Sequence, residues 1–304
     1  MVYICYFFIL FVSESIALGS FDLSLSVPVS LDSSYNVLFS GAWQYDWWLF
    51  VTFVCLGLIS GVAAGFFGIG GGTIIVPCVL LLGFSIQQAI GISIAQMIFS
   101  SIFGSIVNYK KGLLDVRDGI FIGLGGLLGA SCSGLVLSML GEVLLSAAFL
   151  SLTLISFYRF AFKIKPTLGT SPLRSTLQKS LLLTGAGAFT GVFAISLGIG
   201  GGLLIAPILG YYLGYDSKKV VPLSLFFVVF SSVSGTLSLY HHQVLDLHLM
   251  SVSFIVGLAS IVGVACGIYL ITKASAKTHR IALLWIYAFA IVITTYKLFE
   301  MVLA

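Results

Sequence analysis

Charged side chains are scarce in this chain, and their scarcity excludes a soluble domain. Only 8% of the 304 residues are charged, while 59% are hydrophobic; soluble domains carry roughly 25% charged residues. Eight apolar stretches contain no Asp, Glu, Lys or Arg, and they are the predicted spans: 47–68, 88–108, 119–140, 143–158, 180–198, 220–240, 249–272 and 281–296. The composition therefore predicts an integral membrane protein.

Other signals are also missing, and each absence excludes a class of protein. Strict alternation of apolar and polar residues is absent, which argues against a membrane β-barrel. The five cysteines stand singly in apolar runs, so we expect neither a metal site nor a redox pair. Neither glycine cluster matches the G-x-G-x-x-G pattern of dinucleotide sites, so we expect no cofactor and no nucleic acid as partner.

What the chain does contain is one structural unit used twice. The segment 61–83 returns as 191–214, and Gly61, Gly68 and Pro77 fall on Gly191, Gly198 and Pro207. After a one-residue slip the match continues, with these pairs: Phe99 with Phe230, Ser100 with Ser231, Ser101 with Ser232, Gly104 with Gly235, Tyr109 with Tyr240 and Asp115 with Asp246. A duplicated apolar segment broken by glycine is the sequence pointer to a transporter binding site between two repeats.

Each copy is broken by the cluster Gly-Ile-Gly-Gly-Gly, which disfavours a regular helix because each glycine costs roughly 1 kcal/mol. The apolar pieces that follow, 73–83 and 203–214, are too short to span a membrane and predict half-membrane helices. A helix that restarts there points free N–H groups and its positive dipole end at the glycines. The pattern predicts an anion site without charged side chains, with positive φ expected at Gly71 and Gly201.

The basic residues predict the orientation of the spans. They cluster in four connections, 110–117, 159–179, 218–219 and 273–280, which the positive-inside rule places in the cytoplasm. The unit 47–83 then begins and ends outside, and its copy 180–214 begins and ends inside. The prediction is an all-α polytopic membrane protein of two inverted-topology repeats, each a glycine-broken re-entrant or half-helix unit plus about three further spans.

The domain boundaries follow from this assignment. The first repeat is predicted over 47–160, a cytoplasmic linker over 161–179 and the second repeat over 180–304. Residues 1–46 are predicted as a hydrophobic segment followed by an external loop, and residues 1–18 fit either a cleaved signal or an extra helix. The expected partners are a small anion and the lipid bilayer, while a homo-oligomer is left open.

Substrate recognition is predicted to use neutral groups, since no charged residue lies in the predicted spans. The candidates are the backbone of Gly70, Gly71, Gly72, Gly200, Gly201 and Gly202, the hydroxyls of Thr73, Ser100, Ser101, Ser231 and Ser232, and the amides of Gln96 and Asn108. Hydroxyl and amide donors suit a small oxyanion that must bind loosely enough to leave. No catalytic residue is expected.

Each feature also has an alternative explanation. Five G-x-x-x-G pairs, Gly61/Gly65, Gly119/Gly123, Gly125/Gly129, Gly187/Gly191 and Gly263/Gly267, predict close helix packing. The serine pairs could bond carbonyls of their own helices, although their matching positions in both repeats favour function. A channel and a membrane assembly factor stay open as alternatives, and an intramembrane hydrolase using Ser93 or Ser131 lacks a histidine base.

The doubled element G-x-x-x-x-x-x-G-I-G-G-G-x-x-x-x-P resembles the TauE/SafE sulfite-exporter family, as do A-I-G-x-S at 89–93 and N-Y-K-K-G-x-x-D at 108–115. The resemblance covers the chain from residue 47 onward. It implies a carrier, in the bacterial inner (plasma) membrane, of sulfite, organosulfonates or related sulfur oxyanions. Only the resemblance supplies sulfur. Asn108 stands where such sequences commonly have histidine.

Overall fold

A computed structural model describes residues 47–162, 176–209 and 217–303, and within these ranges every regular element is helical. The predictions for residues 1–46 and for most of the linker lie outside the described residues. The helices are α1 (Trp47–Phe67), α2 (Gly72–Leu81), α3 (Ile86–Lys110), α4 (Val116–Ala130), α5 (Ser133–Met139), α6 (Glu142–Ala161), α7 (Thr176–Thr190), α8 (Gly202–Pro207), α9 (Ser217–His241), α10 (Leu247–Lys273) and α11 (Ala276–Leu303). A π-helical turn, Gly191–Ile195, extends α7.

The described helices include seven spans that are long and apolar enough to cross a membrane, which confirms the predicted class of a polytopic α-helical membrane protein. They are Trp47–Phe67, Ile86–Lys110, Val116–Met139, Glu142–Ala161, Lys219–His241, Leu247–Lys273 and Thr278–Leu303. Two predicted spans differ in detail. The stretch 119–140 is interrupted between α4 and α5, and the stretch 180–198 is a helix that ends in the π-helical turn.

The two matched aspartates of the repeats begin corresponding helices. Asp115 Oδ1 accepts the N–H of Asp118 at 3.4 Å at the start of α4, and Asp246 Oδ1 accepts the N–H of Leu249 at 2.7 Å at the start of α10. An aspartate at this position satisfies one of the N–H groups that a helix start leaves without a partner. The sequence match of Asp115 with Asp246 is therefore a match of helix caps.

Glycine stripes bring two helix pairs into backbone contact across the two halves. A Cβ on Gly61 would overlap the carbonyl of Ser260, and one on Gly65 would press on that of Val264. The same relation joins α4 to α7, where Gly125 lies against Thr184 and Gly129 against Ala188. Residue numbers rise together in both pairs, so α1 runs parallel to α10 and α4 runs parallel to α7. The close helix packing expected of the G-x-x-x-G pairs is confirmed for four of the five, while Gly119 and Gly123 lie against the rings of Phe226 and Phe230.

Helices α3 and α9 cross at the centre of the molecule in opposite directions. Gly91 of α3 lies beside Leu245, just beyond α9, while Gly104 of α3 lies beside Leu225 near the start of α9. On its other side α3 runs parallel to α10, since Phe99 contacts Gly257 and Gly104 contacts Val264. The matched Ser100 and Ser231 therefore lie on helices that face each other, and the glycine breaks lie against this central pair.

Polar contacts join helix ends of the two halves. Lys179 Nζ of α7 pairs with Asp118 Oδ2 of α4 at 2.6 Å, and the aspartate is almost fully buried. Arg280 Nε at the start of α11 donates to the Phe160 carbonyl at 2.8 Å and so satisfies the C-terminal end of α6. These charges lie at helix ends, where the predicted spans also end.

Candidate substrate site at the glycine breaks

The first break departs from helical geometry at three glycines and the second at two. Gly68, Gly70 and Gly71 have φ of 72°, 81° and 84°. In the second copy Gly198 has φ of 64° and Gly200 has φ of 85°. Gly201 has φ of −62°, so the positive φ expected there is wrong, while the same expectation at Gly71 is confirmed. The two copies share a sequence but differ in backbone conformation.

The two breaks lie against each other. A Cβ on Gly72 would overlap the carbonyl oxygen of Gly198, and a Cβ on Gly202 would overlap the carbonyl oxygen of Gly68. A Cβ on Gly200 would overlap the carbonyl oxygen of Ile69. Each half therefore needs glycine because the backbone of the other half occupies the space of a side chain.

Each break is held to the other half by one buried serine. Ser93 Oγ of α3 donates to the Gly198 carbonyl at 2.8 Å, and Ser224 Oγ of α9 donates to the Gly68 carbonyl at 2.7 Å. The interpretation of the sequence missed these roles. Ser93 and Ser224 match in the register that pairs Ser100 with Ser231, so the signal was present in the repeat alignment.

The backbone N–H groups of both breaks have no backbone partner among the described residues. Within the described ranges no backbone acceptor pairs with the N–H of Gly70, Gly71 or Gly72, nor with that of Gly200, Gly201 or Gly202. The carbonyl of Gly71 accepts from Ile74 N at 3.1 Å as α2 begins. The helix starts thus have the geometry that the sequence predicted, with unpaired donors at the glycines.

The candidate side chains fall into two groups. Ser100, Ser101, Ser231 and Ser232 each donate to a carbonyl three or four residues back in their own helix, and Asn108 Nδ2 donates to the Gly104 carbonyl at 2.8 Å. Thr73 and Gln96 differ, because both are fully buried and their side-chain polar atoms have no hydrogen-bond partner among the described residues. Thr73 and Gln96 are therefore the candidates with donors free for a substrate.

Near the second break, Ser196 is also buried and its hydroxyl has no partner among the described residues, but the helix that faces the break presents an aromatic ring. The ring of Phe227 lies against Gly201 and Gly126. Phe227 belongs to an apolar cluster with Ile205 of α8, Leu223 and Val228. In the repeat alignment, Phe227 and Leu203 stand at the positions of Gln96 and Thr73.

The fold and the doubled break define a polytopic helical membrane protein whose two halves meet at broken helices. The family model described as sulfite exporter TauE/SafE matches residues 53–294. The chain belongs to the TauE/SafE family and is a membrane transporter of that family.

Curated relatives extend this result to named proteins. Probable membrane transporter protein YdhB of Bacillus subtilis (strain 168) is 26% identical over 231 residues, which cover 74% of this chain and 90% of the relative. Probable membrane transporter protein YunE of the same organism is 30% identical, covering 62% of this chain and 77% of the relative. Probable membrane transporter protein MJ0441 of Methanocaldococcus jannaschii is 27% identical, covering 61% and 70%. No solved structure matches the chain.

Proposed function

We propose that this transporter carries small sulfur oxyanions, namely sulfite, organosulfonates or related anions, and binds them at the glycine breaks. The observation that carries the proposal is the meeting of two breaks with unpaired N–H groups among helices α3 and α9. The predicted spans contain no charged residue, so the attraction to an anion comes from amides, hydroxyls and a helix dipole. That the anion contains sulfur is proposed from the family alone.

A neutral site suits transport because the substrate must also leave. A lysine or arginine buried beside an anion makes strong charge-assisted hydrogen bonds, which slow release. Backbone N–H groups and the hydroxyl of Thr73 supply directional donors without a full opposite charge. We propose that the residues of the site come from the glycines 70–72 and 200–202, with Thr73, Gln96, Asn108 and the serine pairs 100–101 and 231–232 as further candidates.

We also propose that the two halves are inverted repeats in the inner (plasma) membrane of a bacterium. Helix directions support this. Helix α1 runs parallel to α10, and α7 runs parallel to α4. With α3 and α9 antiparallel, the corresponding helices of the two halves run in opposite directions. Alternating access then follows from rocking one half against the other around the shared breaks.

An anion channel is the main alternative, because a channel uses the same broken helices. An intramembrane hydrolase is less well supported, since the Ser93 hydroxyl donates its hydrogen bond to the Gly198 carbonyl and no histidine lies within the predicted spans. A membrane assembly factor has no need of a duplicated polar backbone site. We therefore propose a carrier and not an enzyme.

Flux into proteoliposomes tests the proposal. The purified chain is reconstituted, and uptake of sulfite, methanesulfonate, sulfate and chloride is measured against concentration and against an imposed proton or sodium gradient. A carrier gives saturable flux that a gradient of the coupled ion drives. Flux that rises linearly with concentration and ignores such gradients indicates a channel. Absence of flux for all four anions contradicts the proposed substrate class.

A further inference from the structure

The two halves of the candidate site differ in their side chains as well as in backbone conformation. In the register that pairs Ser100 with Ser231, Gln96 of α3 corresponds to Phe227 of α9. In the register of the glycine clusters, Thr73 corresponds to Leu203. Both polar residues belong to the first half, and both of their partners in the second half are apolar.

Gln96 lies on the face of α3 that contacts the glycine breaks. Met97, the next residue in α3, contacts Gly70, since its sulfur lies 3.2 Å from the place that a Cβ on Gly70 would take. Ser93, one turn earlier on α3, reaches the same region by its bond to Gly198. Gln96 lies between Ser93 and Met97 within one turn of α3, so it shares the face of α3 that contacts the breaks, as its counterpart Phe227 lies on the face of α9 that contacts Gly201.

Both polar side chains of the first break are buried without a partner. Gln96 and Thr73 are fully buried, and neither the two amide atoms of Gln96 nor Thr73 Oγ1 has a hydrogen bond among the described residues. Buried polar groups in native proteins are nearly always paired, so such a cluster requires an explanation. The unpaired N–H groups of Gly70, Gly71 and Gly72 lie at the start of α2, beside Thr73. A bound anion would satisfy these unpaired donors.

We infer that the protein binds one singly charged oxyanion at the first break, with Gln96 as the residue that determines specificity, and that the second break is structural. This inference rests on the proposed function and assigns its site to one half. The N–H groups of 70–72, Thr73 Oγ1 and Gln96 Nε2 donate to the anion. The Phe227 ring seals the corresponding place at the second break.

The charge of the ligand follows from the donors. The N-terminal end of a helix presents about half an elementary positive charge, and no lysine or arginine lies in the predicted spans. A singly charged anion is then about half balanced, whereas the two charges of sulfate would leave about three times as much negative charge uncompensated in a buried site. The site therefore favours a sulfonate over sulfate.

Titration of the full chain in lipid nanodiscs tests the inference, with methanesulfonate as the probe and sulfate as the doubly charged comparison. Calorimetry should give one site per chain for methanesulfonate and at least tenfold weaker binding of sulfate. Gln96→Leu should weaken methanesulfonate binding about tenfold, the size of a lost hydrogen bond to a charged group. Phe227→Leu, the matched change in the other half, should alter the affinity less than twofold.

A second pair of variants keeps the test independent of Gln96. Thr73→Val removes a buried, unpaired hydroxyl at the first break, and Thr236→Val removes a buried, unpaired hydroxyl of α9 that lies more than two turns beyond Phe227. We expect weaker binding of methanesulfonate only for Thr73→Val. If Gln96→Leu does not fold, the two threonine variants decide the result.

The outcomes separate this inference from the proposed function. Three results would overturn the assignment to one half while leaving anion binding intact. They are two equivalent sites per chain, equal losses of affinity in Gln96→Leu and Phe227→Leu, and equal losses of affinity in the two threonine variants. Sulfate bound as tightly as methanesulfonate would overturn the charge class. No binding of sulfite, methanesulfonate or sulfate to the wild type would overturn both the inference and the proposed function.

Discussion

The hydroxyl of Ser93 donates a hydrogen bond of 2.8 Å to the carbonyl of Gly198, a residue in the other half of the chain. Ser224 makes the equivalent bond to Gly68 at 2.7 Å. A carbonyl at a helix break has lost its intrahelical partner, so it needs a donor when it is buried. These serines therefore hold the open backbone in place, and their loss should be measurable.

We expect Ser93→Ala and Ser224→Ala each to lower the free energy of unfolding by about 1–3 kcal/mol, because a buried carbonyl is left unpaired. Thermal unfolding in detergent measures the loss. Ser105→Ala is the matched control, since the Ser105 hydroxyl is buried and already has no partner among the described residues. An equal loss in the control would show that the hydrogen bonds to the breaks carry no special weight.

The contact between the two breaks predicts the effect of adding one methyl group. Gly72→Ala and Gly202→Ala should each destabilise the protein by about 1–3 kcal/mol, since the new Cβ overlaps a carbonyl of the opposite break. Gly185→Ala should instead stabilise it by about 1 kcal/mol, because Gly185 lies inside α7 with open space around it. Unfolding midpoints of the three variants check the opposite signs. A destabilised Gly185→Ala would contradict the packing described here.

The ion pair between Lys179 and Asp118 predicts an asymmetry between its two partners. Lys179→Met should cost more stability than Asp118→Asn, because the first change leaves a buried carboxylate without its cation, and the second leaves a half-exposed ammonium. We expect a difference of about 1–2 kcal/mol between the two variants. Chemical denaturation of each variant measures it, and the reverse order would show that the aspartate is better solvated than its burial indicates.

The proposed inversion of the two halves predicts which side of the membrane each connection faces. Single cysteines at Arg174 and Lys277 should be cytoplasmic, and those at Asp32 and His242 external, because of the distribution of basic residues. A variant without the five native cysteines is the background, and a maleimide that does not cross the membrane reports accessibility from each side. Labelling of Arg174→Cys and Asp32→Cys from the same side would refute the inversion.

The sequence predicted the membrane class and the helix packing because both depend on local composition. A stripe of glycines such as Gly61 and Gly65 has one common use, which is close approach of another helix. The interruption between Ala130 and Ser133 was missed because an apolar run looks alike whether its helix is continuous or broken.

The site was less visible to the sequence, because its geometry depends on contacts between the halves. Glycine accepts φ of either sign, so the sequence could not distinguish Gly71 from Gly201; the Phe227 ring packed on Gly201 belongs to another helix. The sequence indicates Ser93 as a member of the A-I-G-x-S segment and as a candidate nucleophile, and neither points to a bond with the other half. Its partner Gly198 is 105 residues away in the chain, and only the repeat alignment indicates a contact over such a separation.

The exchange of serine contacts between the halves also has a consequence for synthesis of the protein. Gly68 emerges from the ribosome 156 residues before Ser224, the residue that satisfies its carbonyl. During that interval the first half is in the membrane with an open backbone that has no partner. Neither half can complete its own break, so the two halves mature together, and separately expressed halves should acquire their native breaks only when they are made in the same cell.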